Sequence, residues 1–87
     1  MGLTIEWTMR AIRDMRRLAA QDRERIVAKV EQYAEDPGSL GNQVARLTGS
    51  EYSRLRVGSH RVIFEVEPEG ALVILRVRHR REAYDQR

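Results

Sequence analysis

Arginine is the residue type through which this chain can do chemistry. The 87 residues include 16 basic side chains, and all but Lys29 are arginine. A guanidinium is planar and permanently charged, and its fork of N–H donors matches the oxygens of a phosphate. Cysteine is absent, which excludes disulfides, thiolate metal ligands and a cysteine nucleophile. The two histidines, His60 and His79, are too few for a histidine zinc site without carboxylate help. No metal-ligand spacing and no cofactor motif is visible. Placement says more than number, because a coding bias toward arginine would raise the count without any function. Residues 1–44 carry 7 basic and 7 acidic side chains, and residues 45–87 carry 9 and 6. The net charge of +3 therefore falls entirely in the second half, which points to a polyanion-facing surface there.

The elements that must position these arginines fit one small domain, residues 1–87. With 41% hydrophobic and 33% charged residues, the chain has the composition of a folded soluble protein. No apolar run approaches the roughly 20 residues of a membrane span, and no signal-peptide core follows Met1. A cytoplasmic location is the expectation. Leu3-Thr4-Ile5-Glu6-Trp7 reads as a short edge strand. Thr8 then caps a helix through about Ala20, with Met9, Ile12, Met15 and Ala19 at helical spacing. Asp22 serves as N-cap of a second helix whose face is Ile26, Val30, Tyr33 and Ala34, and Asp36-Pro37-Gly38 stops it. The charges of this helical hairpin mostly alternate in sign, as on a solvated face. Residues 37–51 read as a loop.

From Tyr52 the period changes from helical to two. Gly58-Ser59 suits a type II′ hairpin turn between Tyr52–Val57 and His60–Glu67. Pro68-Glu69 suits a type I turn before Ala71–Arg78. The fold class is therefore α+β: a short N-terminal strand, a helical hairpin and an antiparallel three-stranded meander packed on the helices. Two-residue loops at both turns set Arg56 opposite Arg61, Phe64 opposite Val73 and Val62 opposite Leu75. One sheet face then collects Leu55, Val57, Val62, Phe64, Val66, Val73, Leu75 and Val77. The other collects Arg54, Arg56, Arg61, Ile63, Glu65, Leu72, Ile74, Arg76 and Arg78, with Arg61 between Arg56 and Arg76. Like charges directly across a strand pair are destabilising. The face is either a solvated arginine surface or an anion site for a phosphate backbone, and the convergence from three strands favours the second. Arg80 keeps the parity of Arg76 and Arg78, while Arg81 swings out at the strand end. Tyr84 offers a stacking plane for a base and a phenolic proton, or packs on the helices. His79 points by parity to the apolar side, and His60 shapes the turn.

The stretch Leu55-Arg56-Val57-Gly58-Ser59-His60-Arg61-Val62-Ile63-Phe64-Glu65-Val66 resembles the Arg-Val-Gly-x-aromatic-Arg-Val-Ile-Tyr-x-Ile segment of RelE/ParE toxins. Val77-Arg78-His79-Arg80-Arg81-Glu82-Ala83-Tyr84 resembles their carboxy-terminal His-Arg-Arg-x-x-Tyr signature, and Asp36-Pro37 with Leu47-Thr48-Gly49 resembles their loop before the second strand. The resemblance covers nearly the whole chain. It implies a RelE/ParE-like fold and the toxin of a type II toxin–antitoxin system. RelE-like members cut mRNA in the ribosomal A site. ParE-like members inhibit DNA gyrase and lack the cluster of catalytic basic residues and tyrosine. This chain keeps that cluster, so the resemblance implies a RelE-like, metal-independent endoribonuclease.

Carried over by position, Arg54 and Arg61 handle the scissile phosphate, Arg80 is the later catalytic arginine, and Tyr84 stacks on or helps activate the cleaved nucleotide. Arg56, Arg76, Arg78 and Arg81 would hold the RNA backbone, and His79 is a candidate for proton transfer. The chain departs from the RelE prototype in offering Arg54 where lysines stand on the second strand. Arginine cannot readily lose its proton, so a deprotonated-lysine base is excluded. His60 replaces the usual aromatic before Arg61. The implied partners are a cognate antitoxin, the ribosome and mRNA, with neither a membrane nor direct DNA binding. Two other classes remain: a gyrase inhibitor and a non-catalytic RNA-binding module.

Overall fold

A computed structural model describes residues 2–47, 49 and 51–79. The chain begins with strand β1, Thr4–Trp7. Thr8 follows in extended backbone, and its hydroxyl accepts the Ala11 N–H at 3.1 Å. This is the side-chain cap expected at a helix start, and it opens α1, Met9–Arg16. The helix is shorter than its apolar spacing suggests. The chain turns at Arg17, whose N–H reaches back to the Asp14 carbonyl, and the Arg23 guanidinium donates to the Leu18 carbonyl. Helix α2, Ala20–Glu35, starts three residues before the sequence places it, with Ala19 at the cap and no side-chain cap bond. Asp22 is not the cap but lies in the first turn, where its negative charge still suits the helix dipole.

Ile26, Val30 and Ala34 are the buried stripe of α2. Tyr33 flanks it, with its ring centroid 5.0 Å from that of Phe64. Pro37–Leu40 form a 3-10 turn that buries Leu40. The stretch expected to be a loop then yields a strand, β2, Val44–Arg46, which is too short to show an alternation. It pairs antiparallel with β3, Ser53–Val57. β4, His60–Val66, and β5, Ala71–His79, complete a five-stranded sheet in the order β1-β5-β4-β3-β2. β1 lies parallel to β5, and all other neighbours are antiparallel.

The first hairpin has the register expected from its turn: Val57 opposes His60, Arg56 opposes Arg61 and Leu55 opposes Val62. Gly58 has φ +60, and no non-glycine residue in the described chain has positive φ, as a type II′ turn requires. The second hairpin departs from expectation. Gly70 N–H donates to the Glu67 carbonyl at 2.8 Å, and Glu67 N–H donates to the Ala71 carbonyl at 2.8 Å. The loop thus has three residues, a type I turn closed by Gly70 at φ +97, which is the three-residue hairpin with a glycine bulge. Val66 therefore opposes Leu72 and Phe64 opposes Ile74. A second irregularity follows, with Ile63 opposite Arg76, leaving Leu75 as an extra residue.

A one-residue slip exchanges the two faces of a strand. Leu72 and Ile74, expected on the arginine face, are each 1% exposed in the core, and Val66 is 46% exposed. Val73 and Leu75 leave the core stripe. Leu75 restores the original parity, so Val77 packs in the core with Leu55, Val57, Val62 and Phe64. The register makes a clear prediction for chemical denaturation. Leu72→Ala and Ile74→Ala should each lose about 2–5 kcal/mol of stability by opening cavities. Val66→Ala should stay within about 0.5 kcal/mol. The reverse ranking would contradict the bulged hairpin.

Candidate functional site

The outer sheet face is built by alternation along β3, β4 and β5. Arg56, Arg61 and Arg78 occupy one cross-strand row. Arg54, Ile63 and Arg76 occupy the next. Arg61 thus lies between Arg56 and Arg78, not between Arg56 and Arg76 as two-residue loops would have it. Directly opposed residues hold their Cβ atoms about 4.5–5.5 Å apart, so the row concentrates three cations within a short span. Arg61, at its centre, is only 7% exposed. No buried side-chain nitrogen or oxygen among the described residues lacks a hydrogen-bond partner, so this buried guanidinium is satisfied. Arg56 is exposed, and Arg54 and Arg78 are half-buried. The row can meet an anion with forked donors while Arg61 fixes its centre.

Arg76 has a different position. Its Nε donates to Asp14 Oδ2 at 2.8 Å and its terminal nitrogen to Asp14 Oδ1 at 3.3 Å. Asp14 Oδ2 also accepts the Val77 N–H at 2.9 Å. Asp14 thus ties α1 to the edge of β5 beside the arginine row. Burial pushes its carboxyl up. The Arg76 and Val77 hydrogen bonds and the charges of Arg76 and Arg78 outweigh that effect and hold it below the usual aspartate range. Sequence reasoning missed Asp14 by assigning it to a solvated face. A signal was present: from Met9 to Arg17 the charged residues are Arg10, Arg13, Asp14, Arg16 and Arg17, a single acid among arginines.

His79 turns to the core side of the sheet, as parity predicts, and opposes His60. Their rings meet edge to face, with centroids 5.3 Å apart. His60 does more than shape the turn, since it is buried against its partner at 9% exposure. Arg80, Arg81 and Tyr84 lie outside the described residues. The structure thus brings Arg54, Arg56, Arg61 and Arg78 onto one face, engages Arg76 with Asp14 at its margin, and sets His79 on the opposite face. Among the described residues no group of three histidine or carboxylate side chains is arranged to hold a metal, and no helix is long and apolar enough to cross a membrane.

The five-stranded sheet, the two helices and the arginine face make an α+β domain with a cationic sheet surface. Residues 5–84 match the family described as ParE toxin of type II toxin-antitoxin system, parDE. The chain belongs to that family, within the RelE/ParE superfamily. Its fold is similar to the RelB-RelE antitoxin-toxin complex from Methanococcus jannaschii, at 23% identity and TM-score 0.77 over 94% of this chain and 98% of the other. It is also similar to the toxin-antitoxin complex RelBE2 from Mycobacterium tuberculosis, at 28% identity and TM-score 0.63 over 92% and 100%. The chromosomal ParDE system from P. aeruginosa is similar at 15% identity and TM-score 0.74 over 90% and 96%. No curated protein is similar by sequence.

The Asp14 contact has a signed consequence. A carboxyl held low when folded contributes stability that is present above its unfolded pKa, near 3.9, and is lost as pH falls through the lower folded value. Asp14→Asn should cost about 1.5–3 kcal/mol at neutral pH, the range for hydrogen bonds to charged groups. In denaturation series the gap to the unaltered protein should narrow below about pH 4. A gap independent of pH would refute the ionic contribution.

Proposed function

We propose that this toxin is a ribosome-dependent endoribonuclease that cleaves mRNA in the ribosomal A site. The observation that carries the reading is the row Arg56–Arg61–Arg78 with Arg54 beside it. A sheet shaped for stability alone would avoid such opposed like charges. A phosphate backbone would bring negative charge to the row. In the reaction the RNA's own 2′-oxygen attacks the adjacent phosphorus, giving up its proton. The P–O5′ bond breaks, and the leaving oxygen takes a proton. The products are a 2′,3′-cyclic phosphate and a 5′-hydroxyl, so no water is consumed. Negative charge gathers on the phosphoryl oxygens in the transition state, where Arg54, Arg61 and Arg80 would donate pre-aimed N–H groups. Arg56, Arg78 and Arg81 would track the backbone, and Tyr84 would stack on the nucleotide or relay a proton. The ribosome would contribute much of the positioning.

The RelB-RelE, RelBE2 and ParDE likenesses are antitoxin complexes, which supports a cognate antitoxin for this chain. Such a partner would bring acidic and apolar residues to the arginine face. Action on translating ribosomes places the toxin in the cytoplasm. A second reading, inhibition of DNA gyrase, is favoured by the family description itself, which is that of a ParE toxin.

Cleavage mapping on a translated mRNA with purified protein and ribosomes separates the two. Cuts confined to A-site codons are expected, with Arg54→Ala and Arg80→Ala each slowing cleavage on the order of 10²-fold. Growth arrest without cuts, persisting when Arg80 and Tyr84 are both replaced, would overturn the nuclease reading in favour of gyrase.

A further inference from the structure

Both histidines of the chain meet in a polar cleft that the arginine face does not use. The cleft measures about 270 Å³ and lies between α2 and the tip of the β3–β4 hairpin. Asp22 and Arg25 line it from α2, Ser59 and His60 from the turn, and His79 from the end of β5, over a floor of Ile26. The Arg25 guanidinium reaches the tip itself, 3.4 Å from where a Cβ on Gly58 would stand. The Arg25 side chain makes no hydrogen bond or ion pair with another described residue. A guanidinium, two imidazoles and a hydroxyl thus converge as possible donors, and the Asp22 carboxylate is the one acid among the described residues that line the cleft. His60 and His79 directly precede or follow Arg61 and Arg78 in sequence, so alternation turns those arginines to the opposite sheet face. Gly58 and Ser59 between the two faces are exposed.

We propose that this cleft is a second anion subsite, which takes a phosphodiester of the RNA strand after the strand has crossed the arginine row and passed over the Gly58-Ser59 tip. The inference rests on the proposed binding of RNA at the arginine row. Arg25 supplies the permanent charge that offsets Asp22. Each imidazole offers an N–H donor to the phosphoryl oxygens.

The test follows the two imidazoles by NMR in the full chain. A 2′-O-methyl oligoribonucleotide, which has no attacking hydroxyl, is titrated in one arm and inorganic phosphate in the other. The oligonucleotide should shift both imidazole signals saturably. Arg25→Ala, a change at an exposed position, should weaken that binding on the order of tenfold and reduce the salt slope by about one ion. Still imidazoles while the oligonucleotide binds around Arg56 would overturn the subsite. Shifts with phosphate but not with the oligonucleotide would assign the cleft to a free anion and overturn its RNA role. The outcomes separate from those of the nuclease reading. Imidazole shifts without ribosomal cleavage sink the nuclease and leave the subsite standing. Cleavage with silent imidazoles sinks the subsite alone.

Discussion

The carboxylate of Asp14 closes the gap left when a four-residue strand lies beside a nine-residue one. β1 covers β5 only from Ala71 to Ile74. Beyond that point the edge of β5 presents backbone groups that a buried position cannot leave unpaired. Helix α1 supplies the partners. The Thr8 hydroxyl donates to the Leu75 carbonyl at 3.0 Å, and Asp14 takes the Val77 N–H. The same carboxylate holds Arg76. One residue therefore terminates the sheet edge, fixes the angle at which α1 leaves it, and neutralises one cation beside a row of three. Thr8 acts on both sides of the junction, since its hydroxyl also caps α1.

The positions of the arginines depend on two irregularities that act in the same direction. Gly70 adds one residue to the second hairpin, and Leu75 adds another within β5. Each reverses the faces of the strand beyond it, and together they restore the parity while moving the register by two. Arg78 rather than Arg76 then meets Arg61, and Arg76 falls where Asp14 can reach it. Leu75 stands where the edge passes from β1 to α1, so the bulge bends β5 at the point where its partner changes from strand to helix. Without both irregularities, Arg76 would stand in the row, away from its carboxylate.

This explains which parts of the fold were legible in the sequence. Val57-Gly58-Ser59-His60 specifies its turn locally, because only glycine takes φ +60 without strain there, and the register of β3 with β4 follows. Pro68-Glu69-Gly70 is locally ambiguous between a two-residue and a three-residue loop, and the choice depends on burying Leu72 and Ile74 under the helices, a tertiary term. Arg54, Arg56, Arg61 and Arg78 could be assigned to one face because the paired bulges preserve parity at the site end of β5. Leu72, Val73, Ile74 and Leu75, between the two irregularities, could not. Val44–Arg46 is a strand only because β3 offers it an edge, and Asp14 has a partner only after the chain has folded back over 62 positions.

The arginine row sets a cost that a domain of this size must offset elsewhere. Small domains bury little surface, and opposed like charges reduce what stability remains. Arg61 is the sharpest case, a cation 7% exposed and flanked by Arg56 and Arg78. Burial of a charge is tolerated when its donors are satisfied, and in the described chain no buried side-chain donor is left over. The offset also has a location. The acid that faces this end of the sheet from α1 is spent on Arg76 at the margin and lowers the local potential without covering Arg56, Arg61 or Arg78. Stability is thus recovered beside the row, where Asp14 offsets the charge of Arg76.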